Sequence, residues 1–364
     1  MSLGTLLNNQ EKDMKKIYIA DIKSWPKWTG YGHYISVAQN YIEILDGKAE
    51  VIIAGCKEYQ KKFSGKQFYM LPWSNKGNYK LEKIETLINA IYLFWRAKGE
   101  IIVLQQSTSL TSFVAIALFY WFSGKLFLIQ YNTEAISSKY KRFIWRLAKW
   151  KINGLICPNE RIAKAYGIKS CIVTDYICCN QEPSYVPYEK RKWDFGFIGT
   201  ITNDKGTIQA LETLAPLGHK ILIAGRIGNG EQYLQNRLDS LLERFPNIEH
   251  HIGFVSDIDY KYFIQYSKYC VLNYQGTYLD RSSGVVLDII FNGTPVIGTY
   301  CDALKMVKDN HMGVIYEELS KIDVNDLLNP TNYEKTLRSI KNYLVFQLEY
   351  RSRLIKLILN NSIE

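Results

Sequence analysis

The chain has 364 residues, 47% hydrophobic and 14% aromatic, with a formal net charge of +10. That length can bury two sizeable cores and agrees with a large intracellular enzyme of two or three domains. Seven cysteines, odd in number and without a C-x-x-C spacing, exclude a disulfide framework and a zinc site, leaving reduced and mostly buried thiols as the expectation.

Residues 1–13 are polar and irregular and read as a tag or disordered leader. No secretory signal is visible before Met14-Lys15-Lys16 leads into the first apolar run. From there short β-branched or aromatic runs alternate with helical stretches, the pattern of parallel sheets covered by helices on both faces. Strands are expected at 17–21, 51–54, 101–105, 126–130 and 155–157, and helices near 33–45, 81–97, 111–122, 138–150 and 159–166. The longest apolar stretch, 110–122, has 13 residues and contains Thr111 and Ser112. A membrane span needs roughly 20, so this is a core helix.

The first strand ends in Asp21, and Trp28-Thr29-Gly30-Tyr31-Gly32-His33 precedes the next helix. Gly30 and Gly32 let backbone approach a phosphate at a helix start, although the same residues serve an ordinary turn. Ile35 breaks the G-x-G-x-x-G spacing of a dinucleotide-binding dehydrogenase. Gln105, Gln106, Asn132 and Glu134 are polar residues at strand ends, readable as loop polarity or as site residues.

The positive charge concentrates in 139–151, where Lys139, Lys141, Arg142, Arg146, Lys149 and Lys151 interleave with Phe143, Trp145 and Trp150. This basic amphipathic helix suits an anionic membrane surface, or a core-packed helix with a solvated basic rim. No recognition module for nucleic acid accompanies it.

The segment 178–192, with Pro183 and Pro187, reads as an interdomain linker. Beyond it the strand and helix alternation repeats, with strands at 195–198, 220–224, 248–253, 270–273 and 295–298. Helices are expected near 206–215, 230–244, 257–267, 284–292 and 302–309. Such sheets bind ligands outside the carboxyl ends of their strands, so two such domains place the natural site in a cleft between them. Gly199-Thr200 leads through Asp204 to Lys205-Gly206 at a helix start. A lysine there works against the helix dipole, which favours an anionic ligand. Further on, Asp280-Arg281-Ser282-Ser283-Gly284 opens a helix that carries Asp288 about one turn in and runs into Gly293-Thr294-Pro295-Val296. Small hydroxyls and a glycine at a helix start offer backbone N–H groups to an anion, and the two acids can hold a sugar and a ribose.

This paired-acid segment resembles that of retaining glycosyltransferases of the GT-B architecture, above all family 4, in which two glutamates flank seven residues ahead of a Gly-x-Pro-Val turn. The resemblance implies two Rossmann-like doubly wound domains: 14–177 on the acceptor side, 193–331 binding the nucleotide sugar, and C-terminal helices over 332–364 crossing back to the first domain. It implies that Lys205 faces the leaving diphosphate, that Val255 contacts the nucleobase, that Asp288 takes the ribose and that Asp280 takes sugar hydroxyls. Gly30, Gly32, Ser282, Ser283 and Gly284 complete the donor side. The sequence departs from the family at Thr200, where an arginine is usual, and at Asn132, where a histidine is usual. Arg226 or Arg281 is left to supply the missing cation.

The resulting expectation is sugar transfer from a nucleotide-diphosphate donor to an acceptor hydroxyl on a surface glycan or its lipid carrier, with retention following from the resemblance. No D-x-D segment stands at a suitable strand end, so fixed cations and dipoles replace a metal and no cofactor is expected. The enzyme is expected in the cytoplasm, peripheral to the membrane through 139–151. A sugar-nucleotide epimerase of the same fold and a catalytically silent partner protein are the alternatives.

Overall fold

The computed structural model describes residues 14–23, 32–73, 79–105, 110–121, 124–173, 185–276, 279 and 283–360. The chain divides into two compact units, one formed by the residues up to Cys178 together with Leu348–Glu364, the other by Cys179–Gln347.

The first unit is built on seven strands, β1 (Lys16–Ala20), β2 (Glu50–Gly55), β3 (Phe68–Met70), β4 (Ile101–Leu104), β5 (Lys125–Ile129), β6 (Gly154–Cys157) and β7 (Ser170–Ile172). Their order is β3-β2-β1-β4-β5-β6-β7 and every pairing is parallel. A central strand such as β4, Ile-Ile-Val-Leu, is buried along its whole length, as a strand covered on both faces must be. Period-two alternation sends Tyr18, Ala20, Ile102 and Leu104 to one core and Ile17, Ile19, Ile101 and Val103 to the other. On the first face lie the helices Tyr79–Arg96, Leu110–Phe119 and Lys139–Ala148, which supply Leu93, Phe113 and Trp145. On the second, Leu354, Leu357 and Ile358 of the terminal helix Pro330–Asn360 enter the core.

The second unit has six strands, β8 (Trp193–Ile198), β9 (Ile221–Gly225), β10 (Ile248–Ile252), β11 (Ser267–Leu272), β12 (Val296–Thr299) and β13 (Gly313–Tyr316). They are all parallel, in the order β10-β9-β8-β11-β12-β13. Both sheets therefore reverse strand order beside their first strand, at β1/β4 and β8/β11. That is where a doubly wound sheet opens a crevice for a ligand.

The sequence pattern predicts five strands in each half; β3, β7 and β13 are additions, all at sheet edges. An edge strand needs less continuous apolar sequence, and β13 is only half-buried throughout. Residues 185–192 carry built structure. The buried Arg191 guanidinium donates to the carbonyls of Val186 (3.1 Å), Ser267 (2.6 Å) and Gly293 (2.9 Å) and to Thr294 Oγ1 (2.9 Å). Burial lowers its pKa, and the bonds tie the approach to β8 to the starts of β11 and β12.

Cys56, Cys157, Cys171, Cys270 and Cys301 are free and buried, and Cys178 and Cys179 lie outside the described residues. Burial pushes the Cys157 and Cys270 thiols up to about 12 and Cys171 up to about 11. Among the described residues no helix is long and apolar enough to cross a membrane.

Leu357 is fully buried in the first unit's core. Leu357→Ala is expected to cost roughly 2–5 kcal/mol by urea denaturation, through lost burial and the cavity left behind.

Candidate functional site

In the second unit the carboxyl end of β8 runs into Gly199 and Thr200, then into the short 3₁₀ turn Asn203–Lys205. Thr202 Oγ1 caps that turn by accepting the Lys205 N–H at 3.3 Å. The chain reverses at Gly206, in the left-handed region at φ 57°, and the helix Thr207–Leu214 follows. A Cβ on Gly206 would lie 2.1 Å from the Asn273 carbonyl oxygen, so glycine is required for fit as well as for conformation. Lys205 is half-buried, and its Nζ lies 3.5 Å from where a Cβ on Gly199 would be. Its ammonium is therefore held over the turn after β8, at the point where the sheet order reverses.

From β11 come two consecutive residues that join the remaining parts. Asn273 Nδ2 donates to the Gly206 carbonyl at 3.3 Å, and Asn273 Oδ1 accepts from Thr299 Oγ1 at the end of β12 at 3.0 Å. The buried Tyr274 shares a 2.7 Å hydrogen bond with Ser283 Oγ. Ser283 is the residue before the helix Gly284–Phe291, and with Tyr274 as its partner its side chain makes no capping bond to the first turn. The lysine turn and the start of this helix are thus held by neighbouring residues, whose Cα atoms are about 3.8 Å apart. Asp288 lies within the same helix, half-buried, and its Oδ2 accepts from Tyr260 Oη at 3.1 Å.

Arg226 follows β9 with an exposed side chain, and its carbonyl accepts the Ile201 N–H at 2.8 Å, one residue after Thr200. Val255 is two strands from β8 in the sheet order, beyond edge strand β10. It lines a cavity of ≈ 350 Å³ with Trp193, Glu249, His251, Tyr262 and Phe263. Burial acts to raise the Glu249 pKa there, but hydrogen bonds from Trp193 and His251 hold the carboxyl below its usual range. Asp280, Arg281 and Ser282 lie outside the described residues.

In the first unit Gly32 is the first residue of the helix Gly32–Leu45, while Gly30 and Gln106 lie outside the described residues. Asn132 Oδ1 accepts the Glu134 N–H at 2.9 Å in a local turn, which leaves the amide NH₂ as the group able to reach a hydroxyl. Glu134 is exposed. Gln105, the residue after β4, is fully buried, and its Oε1 accepts from Tyr59 Oη at 3.4 Å; the buried Asp21 follows the neighbouring β1.

Tyr260, Asn273, Tyr274 and Tyr59 escape a reading of the sequence. Their partners are 28, 67, 9 and 46 residues away, and no local spacing signals such pairs.

No family model matches the sequence, and no curated protein matches it. Solved structures do match. The N-terminal domain of Candida albicans trehalose-6-phosphate phosphatase superposes with a TM-score of 0.68 at 11% identity, over 96% of this chain and 97% of that one. Anabaena HepE, solved in complex with UDP, gives 0.67 at 12% identity over 96% and 100%. A glycosyltransferase from Rickettsia africae gives 0.66 at 16% identity, again over 96% and 100%. Two all-parallel α/β units of seven and six strands with these neighbours define the GT-B fold.

Gly206→Ala is expected to destabilise the second unit by roughly 2–4 kcal/mol, from the left-handed backbone and the collision with Asn273. Tyr274→Phe, which only releases Ser283, is expected to cost about 1 kcal/mol. Urea denaturation compares the two.

Proposed function

We propose that the protein is a glycosyltransferase that moves a sugar from a nucleotide-diphosphate donor to an acceptor hydroxyl on a glycan or its lipid carrier. The observation that carries this reading is the joining of two anion-seeking elements, the Lys205-Gly206 turn and the start of the helix Gly284–Phe291, by Asn273 and Tyr274 at the reversal of strand order. The GT-B fold and a neighbour solved with UDP support it.

The charge to be stabilised develops on the leaving diphosphate as its bond to the anomeric carbon breaks. A fixed ammonium and backbone N–H groups aimed at that point require no reorganisation during the step. Lys205 and the N–H groups at Ser283 and Gly284 take this role, and Arg226 or Arg281 adds the cation that Thr200 cannot provide. The acceptor oxygen attacks the same face of the sugar while its proton passes to the departing phosphate oxygen, so configuration is retained. Asp280 grips sugar hydroxyls. Asp288, oriented by Tyr260, accepts from the ribose, and Asn132 donates to a hydroxyl. Fixed cations do the work of a metal, so the reaction needs none.

Incubation with a panel of sugar nucleotides, assayed for nucleotide release and transferred sugar, tests this reading. One donor should be consumed, at a rate unchanged by a chelator. Lys205→Ala should lower turnover about 10²- to 10³-fold with the fold intact, and Lys205→Arg should recover part of the loss. Consumption of no donor, isomerisation without nucleotide release, or an unaffected Lys205→Ala variant contradicts it.

A further inference from the structure

The three helices on one face of the first sheet are apolar on two sides. In Tyr79–Arg96 the inward side carries Ala90, Leu93 and Phe94. Leu81, Ile84, Ile88, Tyr92 and Trp95 recur at spacings of three and four and are all exposed. At 100° per residue these five positions lie opposite the buried ones, and at one edge of the stripe the Tyr92 ring stacks on Tyr69 of β3 with centroids 5.8 Å apart. Lys139–Ala148 and the following turn Lys149–Lys151 repeat the arrangement: Trp145 and Ala148 face the core, while Tyr140, Phe143, Leu147 and Trp150 face solvent. Leu110–Phe119 lies between them and ends in exposed Leu118 and Phe119, with exposed Trp121 two residues beyond. The tryptophans are the most telling, with Trp150 83%, Trp121 75% and Trp95 65% exposed. Together the three outward faces offer on the order of 1,000 Å² of apolar side chain, more than the few hundred Å² usual for an isolated soluble surface.

Charge identifies the occupant. Between Glu134 and Glu160 the sequence has no carboxylate, whereas Lys139, Lys141, Arg142, Arg146, Lys149 and Lys151 all fall in that interval. Arg142 and Arg146 are exposed on the flank of the apolar stripe, and the Arg142 guanidinium donates to the carbonyls of Ile136 (3.4 Å) and Ser137 (3.3 Å) just before the helix. The Lys151 ammonium sits 3.6 Å from the centroid of the Trp121 ring, joining the ends of two of the helices. Protein interfaces are depleted in lysine, while tryptophan and tyrosine ringed by lysine and arginine match the headgroup layer of a bilayer.

We infer that the combined outward face of these three helices, and not the 139–151 segment alone, docks on the surface of an anionic lipid bilayer. The helices lie in the plane of the interface with their aromatic rings at headgroup depth, and the basic flank neutralises lipid charge. This inference stands on the first unit alone and does not depend on the donor site.

Co-sedimentation of the full chain with vesicles tests it, comparing phosphatidylcholine alone with phosphatidylcholine mixed with phosphatidylglycerol. The protein is expected to sediment with the anionic vesicles and to leave them as salt rises. Phe143→Ser with Trp150→Ser, both exposed, should lower partitioning about tenfold, and Arg142→Glu with Arg146→Glu should do the same for anionic vesicles only. Nucleotide release from a soluble donor should be unchanged in both variants, which separates a failure here from a failure of the donor-site reading. Equal binding to both vesicle types or indifference to both variants overturns the inference. So does a lack of vesicle binding combined with a dimer that Trp95→Ser with Trp150→Ser dissolves, which would assign the face to a second copy of the chain.

Discussion

Two consecutive side chains organise the second unit's site. Asn273 reaches back to the Gly206 carbonyl and across to Thr299, and Tyr274 holds Ser283. Strands β8, β11 and β12 end side by side, and beyond the single bridge between Ile201 and Ile227 the loops leaving them need a further constraint on their paths. Hydrogen bonds from one short stretch after β11 supply that constraint. They join the Lys205-Gly206 turn to the start of the helix Gly284–Phe291, the two elements to which the proposed function assigns the diphosphate. Each bond is worth only about 1 kcal/mol, but the buried groups involved would be costly to leave unpaired.

Much of the fold is legible in the chain because a parallel strand covered on both faces must be a short apolar run; β4 and β9 are apolar throughout, and β1 and β5 are apolar after a leading lysine. The edge strands β3, β7 and β13 carry weaker signals, since the half-exposed Gly-Val-Ile-Tyr of β13 resembles many loops. Composition likewise marks 178–192 as a linker. It cannot show that Arg191 there is buried with four oxygens around its guanidinium, because proline and charge report on local conformation and not on what the chain returns to meet.

At the site, Lys205-Gly206 and Ser283-Gly284 can be found from the strand, loop and helix pattern alone, whereas the residues that position them cannot. Tyr260 is a plain aromatic position in a helix until the fold brings its hydroxyl to Asp288. The basic segment 139–151 shows the same limit. Its sequence fits either a membrane face or a core helix, and the structure places Trp145 inside the core and Trp150 outside it. That two neighbouring helices extend the apolar face is a fact of packing alone.

The most direct measurement of the central claim is a crystal structure of the protein with uridine diphosphate. Diphosphate oxygens are expected about 3 Å from Lys205 Nζ and from the backbone nitrogens at Ser283 and Gly284. An ordered diphosphate held elsewhere, with Lys205 and that helix start untouched, would contradict it.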